Sequence, residues 1–169
     1  GYGYNSQSTF KDFSATKKNA LSYLGFEDGS KQLAENFPST AMINSGISNA
    51  KNVAALKSLP NDYAISNRSA LPTQNYQLSL GRVKHYESGN KFGALFSATY
   101  RNAQTINQDV ERNFYVYDYH DNQYRFSTNL GGLANFAYSF GKNKISFKNI
   151  YNKNYDDNYT TRNGVKDGN

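Results

Sequence analysis

The stretch FSTNLGGLANFAYSFGKNKISFKNIYNKNY, Phe126 to Tyr155, decides the fold. One parity carries Phe126, Leu130, Ala134, Phe136, Tyr138 and Phe140. The other carries Ser127, Asn129, Gly131, Asn135, Ala137 and Ser139, with Leu133 as the exception. A period of two is the mark of a strand with one apolar and one polar face. Gly141-Lys142-Asn143-Lys144 breaks the pattern with turn residues. It resumes at Ile145, Phe147, Tyr151 and Tyr155, opposed by Ser146, Lys148, Asn152 and Asn154. Two alternating runs across a short turn predict a β-hairpin.

Strand length carries the argument further. Strands of soluble proteins average about 5–6 residues. Each arm here sustains its alternation for roughly ten or more, and about 9–11 tilted residues cross a bilayer. In an outer-membrane barrel the lipid-facing positions are apolar and aromatic and the lumen-facing ones polar. The plainer alternative for the hairpin is a long ribbon in a soluble sandwich.

The rest of the chain extends the pattern. Residues 1–13 read as the end of a strand, with Tyr2 and Tyr4 on one face. Residues 14–72 read as a long loop with short helices: one around Ala20, Leu21 and Leu24 that stops at Gly25, a turn from Lys31 to Phe37 closed by Pro38, and one capped by Ser48 and ended by Pro60. Residues 73–102 form a second hairpin. Tyr76, Leu78 and Leu80 alternate with Gln77, Ser79 and Gly81; after a turn at 87–91, Phe92, Ala94, Phe96, Ala98 and Tyr100 alternate with Gly93, Leu95, Ser97, Thr99 and Arg101. Residues 103–125 read as a loop or strand extension, 126–155 as the hairpin above, and 156–169 as a loop. Short connections at 87–91 and 141–144 then alternate with long ones, as periplasmic turns alternate with extracellular loops in transmembrane barrels. The expected class is all-β: antiparallel strands of a partial transmembrane β-barrel, with helix-bearing extracellular loops.

Composition agrees. The 169 residues include 15 Tyr and 11 Phe but no Trp and no Cys. Mean hydropathy is -0.81, so apolar surface sits in rings at alternate positions rather than in aliphatic runs. The absence of Cys excludes a disulfide scaffold, cysteine zinc sites and thiol catalysis. No stretch approaches 18 apolar residues, which excludes a spanning helix but not a barrel. The charge is +6 with scattered basic residues, which argues against a nucleic-acid footprint. The opening inside an alternating run, with no signal peptide, reads as the middle of a longer protein.

Three stretches resemble the TonB-dependent outer-membrane receptors of Bacteroidetes-type bacteria. Leu24-Gly25-Phe26-Glu27-Asp28-Gly29-Ser30-Lys31-Gln32-Leu33 looks like that family's early-barrel stretch, departing from it at Lys31, where the family tends to have Arg, and at Ala34, where it tends to have Pro. Pro72 to Gly81 with its return Gly93 to Arg101 looks like a barrel hairpin. So do Gly131 to Tyr138 and Lys144 to Asn149. The resemblance implies a segment from the N-terminal half of a barrel of about 22 strands. It implies energised uptake of a nutrient (a glycan, peptide or metal chelate) across the bacterial outer membrane, with no enzymatic activity and no cofactor. Its implied partners are outer-membrane lipid, the remaining barrel and plug, TonB through the N-terminal part outside this chain, and in some receptors a surface lipoprotein; nucleic acid is not among them. The alternative reading is a secreted or surface β-rich module that binds glycans or peptides through exposed tyrosines.

The candidate residues follow. Tyr115, Tyr117, Tyr119 and Tyr124 form a tyrosine cluster whose rings can stack on sugars or flat ligands. Phe96, Ala98, Ala134, Phe136 and Phe147 are expected to face lipid, with Ser97, Thr99, Asn135 and Ser146 turned inward. His120 beside Asp118 and Asp121 invites a metal reading, but a polar loop fits as well, so no metal is assigned. Asp109, Glu111, Asp118 and Asp121 could offer paired carboxylates, yet nothing in the sequence sets their separation. Gly131-Gly132 lies mid-strand, where small size matters more than φ freedom.

Overall fold

The computed structural model describes residues 1–166 except Asp28, Ser30, Lys31, residues 34–36, Ile47 and residues 60–62. The early-barrel resemblance at Leu24–Leu33, its departures at Lys31 and Ala34, the turn expected from Lys31, and Pro60 therefore fall wholly or partly outside the described residues. Seven strands and three helices follow in chain order among those described: β1 Tyr2–Gly3, β2 Asp12–Thr16, α1 Ala20–Tyr23, α2 Thr40–Asn44, α3 Asn49–Lys57, β3 Ile65–Ser69, β4 Thr73–His85, β5 Lys91–Phe114, β6 Tyr117–Phe140 and β7 Asn143–Lys166. The chain is predominantly antiparallel β, as expected. Its main sheet has the order β1-β4-β5-β6-β7 and does not close; β2 and β3 pair in a separate two-stranded sheet.

The three longest strands have 24 residues each, about 80 Å at ~3.4 Å per residue. Of the two readings of 103–125, the strand extension is the one found, and the reading of 156–169 as a loop is corrected as far as Lys166. β5 and β6 run past those positions to a two-residue turn at Tyr115-Val116, and β7 follows them to Lys166. Their polar residues are strand residues because both neighbours continue the ladder; hydropathy measures a strand's surroundings, not its existence. The three connections within β4–β7 are therefore all short: Tyr86–Asn90, Tyr115-Val116 and Gly141-Lys142. Gly89 (φ +80) and Gly141 (φ +53) supply the left-handed turn positions. The two ends of the segment 14–72 are also strand rather than loop, since β2 and β3 pair from Asp12↔Ser69 to Thr16↔Ile65. α1 stops before Gly25 (φ +82) as expected, while α2 begins behind Ser39, whose hydroxyl accepts from Met42 N.

Register places the alternation on real faces. Phe96 lies opposite Ala134, Ala98 opposite Gly132 and Phe136 opposite Phe147, so these residues share one face. Phe136 meets Phe96 edge-on at 5.1 Å and lies 6.2 Å from Phe147. Ser97, Thr99, Asn135 and Ser146 occupy the other face. There a Cβ on Gly131 would collide with Thr99 Oγ1, so Gly131 is required small.

Part of the aromatic face is covered by the chain itself. Phe13, Ala15, Ala70, Ile106, Phe126 and Tyr155 form the buried cluster, with Tyr23 and Tyr124 packed against it. Phe126 is fully buried, edge-on to Tyr23 at 5.2 Å and to Tyr155 at 6.0 Å. It therefore stands apart from Phe136, Phe140 and Phe147 on the same face, which periodicity alone groups with it. Two cations are built into this cluster. The Arg68 guanidinium lies 5.5 Å from the Phe13 and Phe126 ring centres and 5.6 Å from Tyr23, and donates to Tyr23 OH at 2.8 Å. The Lys18 ammonium is buried against Phe126 and Tyr155 and ion-pairs with Asp157. Where β4 leaves the edge of β5, Ser8 Oγ accepts from Ile106 N, satisfying one freed amide of β5, and Gln104 Oε1 on β5 accepts from Leu71 N.

Candidate binding surface at the strand tip

β5, β6 and β7 project beyond β4, and the tyrosine cluster lies on this projection. Alternation along β6 divides it. Tyr117, Tyr119 and Asp121 point to the polar face, and Tyr124 and Phe126 to the aromatic one. Tyr115 occupies the turn and is 92% exposed. Tyr124 is spent on structure: it stacks on Tyr159 at 6.0 Å and meets Phe13 edge-on at 5.9 Å. The four candidates are therefore not one site. Tyr117 and Tyr119 come together, Tyr115 crowns them, and Tyr124 lies on the opposite face.

Phe114, which sequence reasoning passed over, joins the pair. Its ring stacks on Tyr117 at 5.8 Å, and Tyr117 stacks on Tyr119 at 5.0 Å and 17°. Arg162 closes the ladder, its guanidinium 4.9 Å from the Tyr119 ring centre. Arg162 is fixed in turn by Asp121: Nε donates to Oδ1 at 2.7 Å and Nη2 to Oδ2 at 2.9 Å, a bidentate pair. Arg112 Nε donates to Asp121 Oδ2 at 2.7 Å. One buried carboxylate thus orients two half-exposed guanidiniums beside three stacked rings. The only sequence signal for Arg162 is its register opposite Asp121, which becomes readable once β7 is known to continue.

Hydrogen bonds from Arg162, against the opposing effect of burial and with help from Arg112, lower the Asp121 carboxyl from 3.8 to about 2. Because the folded value is depressed, the stabilisation is complete above pH 3.8 and is lost as pH falls through about 2. We expect the Tyr119 ring resonances to hold steady on acidification to about pH 4 and then shift with a midpoint near 2. Asp121→Asn should abolish that transition; a midpoint at the ordinary carboxylate value would mean the clamp is not formed.

His120 lies on the other face of β6, opposite Glu111. Its Nδ1 contacts Asp109 Oδ1 at 2.5 Å, at a bulge where Asp109 adopts φ +53 and donates its backbone N–H to Asn122 Oδ1. That hydrogen bond raises the His120 pKa. Asp118 and Glu111 share the face of His120, whereas Asp121 is on the opposite one, so the four carboxylates weighed as pairs do not converge. Among the described residues no group of three or more His and carboxylate side chains is placed to hold a metal ion.

Comparison with protein-family models, curated proteins and solved structures finds no match to this chain.

Proposed function

We propose that the chain is a stretch of the wall of an outer-membrane TonB-dependent receptor that takes up a nutrient, with its strand tips forming part of the ligand-contacting mouth. One observation carries this reading. On β6 the aromatic-face residues Phe126 and Thr128 are buried beneath the N-terminal segment, whereas those from Leu130 to Phe140, a span of eleven residues, are only partly buried or exposed. Eleven residues measure about 36 Å along a strand, or about 26 Å upright at a 45° tilt, close to the apolar band of an outer-membrane barrel. Over this height β4, β5 and β7 contribute Leu78, Leu80, Phe92, Phe96, Ile145 and Phe147 to the same side. The sheet edges support the reading too: the outer edge of β7 has no partner strand among the described residues, and β4 pairs on its outer side only with Tyr2 and Gly3. A barrel wall continues at both.

In this arrangement the polar face lines the lumen. Phe114, Tyr117, Tyr119 and Arg162 continue that face beyond the membrane, so the ladder would overhang the entrance, where stacking on an incoming sugar ring or planar group is useful. The turn at Tyr86–Asn90 would lie in the periplasm and the Tyr115-Val116 tip outside the cell.

Orientation is the direct test. In the complete protein in intact cells, a cysteine at Asn113 should react with an impermeant maleimide, and one at Ser88 should react only after permeabilisation. Labelling at Ser88 alone would reverse the orientation, and equal labelling at both would remove the membrane from the reading.

A further inference from the structure

The short-turn end of the sheet differs in charge from the rest. Around the turns at Tyr86–Asn90 and Gly141-Lys142 stand Arg82, Lys84, Lys91, Lys142, Lys144 and Lys148, against one carboxylate, Glu87; Arg82 and Lys84 share the aromatic face, whereas Lys91, Lys144 and Lys148 register on the polar one. None of the six is in an ion pair among the described residues. The remaining carboxylates of β4–β7 all lie toward the opposite end, from Asp109, Glu111, Asp118 and Asp121 to Asp156 and Asp157.

A groove opens on the aromatic face just above this collar. It measures about 360 Å³; its floor includes Ala98 and Gly132, and its walls include Leu78, Leu80, Phe96 and Tyr151. The floor is low because Gly132 has no side chain; a Cβ there would find only the Tyr151 Cβ, at 3.9 Å. Arg82 is the next residue after Leu80 on this face and lies opposite Ala94, while Lys84 follows it opposite Phe92. Same-face neighbours are about 6.6 Å apart along a strand. Two exposed cations thus stand one and two steps from the end of a largely apolar channel, neither of them ion-paired among the described residues, with the Lys84 ammonium 5.1 Å from the Tyr86 ring centre.

We propose that this groove and collar seat an anionic phospholipid of the leaflet that meets the short turns, with an acyl chain along the groove and its phosphate against Arg82 and Lys84. The assignment rests on the membrane reading above and adds the chemistry of the lipid. A largely apolar lining takes the chain, and the Arg82–Lys84 pair favours negative over zwitterionic headgroups.

The absence of native Trp makes a clean probe available. Leu80→Trp, at a position 61% exposed, places a fluorophore in the groove wall. The full chain carrying it is reconstituted from detergent into vesicles of equal parts phosphatidylcholine and phosphatidylglycerol, with bromine on the acyl chains of one lipid or the other. Quenching should be stronger when phosphatidylglycerol is brominated. That preference should fall roughly fivefold for each cation removed in Arg82→Gln and Lys84→Gln, and should shrink at high salt. Lys153→Gln, a cation on the same face beyond the groove, should leave it unchanged. Equal quenching by the two lipids overturns the anionic site and leaves the membrane reading standing. Quenching by neither overturns both.

Discussion

Phe126→Ala is expected to cost about 3–5 kcal/mol of stability, the largest effect of any single substitution considered for this chain. The ring is fully buried between the sheet and the segment that folds over it, and it touches Tyr23, Tyr155, Arg68 and Lys18 at once. Removing it opens the buried cluster and exposes two cations whose burial the rings make tolerable. Urea unfolding of the chain in detergent would measure the loss. Phe147→Ala supplies the control: the residue has the same type and the same sheet face, but is 57% exposed and uncovered by the N-terminal segment. It should lose well under half as much. Similar losses at the two would show that the N-terminal segment is not seated on the sheet.

A second large effect is expected at Phe136 and not at its neighbour. In the complete barrel, Phe136→Arg should destabilise by about 2–4 kcal/mol near the bilayer midplane, while Asn135→Arg should cost much less. The two positions are adjacent in sequence but on opposite faces of β6. Phe136 sits among Phe92, Phe96 and Phe147, whereas Asn135 lies opposite Leu95 and Lys148 on the polar face. Folding into lipid vesicles across a denaturant series would give both values. Equal costs would mean that the alternation does not follow the membrane, and a soluble sheet would then be the better description.

The alternation of Phe126–Tyr155 by itself determined that this region is a hairpin, which residues share a face, and where it turns. Those properties depend on a two-residue period and on local turn chemistry, and both are written in consecutive residues. The helix stop at Gly25 was readable for the same reason, because it needs only a left-handed residue in place. Three other features had no such local trace, and the tertiary structure decided them. The strands continue through 103–114, 117–125 and 156–166 because the neighbours they pair with continue, and side chains that are mostly polar on both faces carry no hydrophobic period. Phe126 and Phe136 share a parity, yet only Phe126 has Phe13, Tyr23 and Arg68 folded over it, a contact between residues more than 50 positions apart. The candidate site was divided in the same way. Four tyrosines close in sequence were sent to a turn and to two faces, while Phe114, Arg112, Asp121 and Arg162 were gathered from three strands by register. A sequence states which way each side chain points along its own strand; only the paired strands determine what stands beside it.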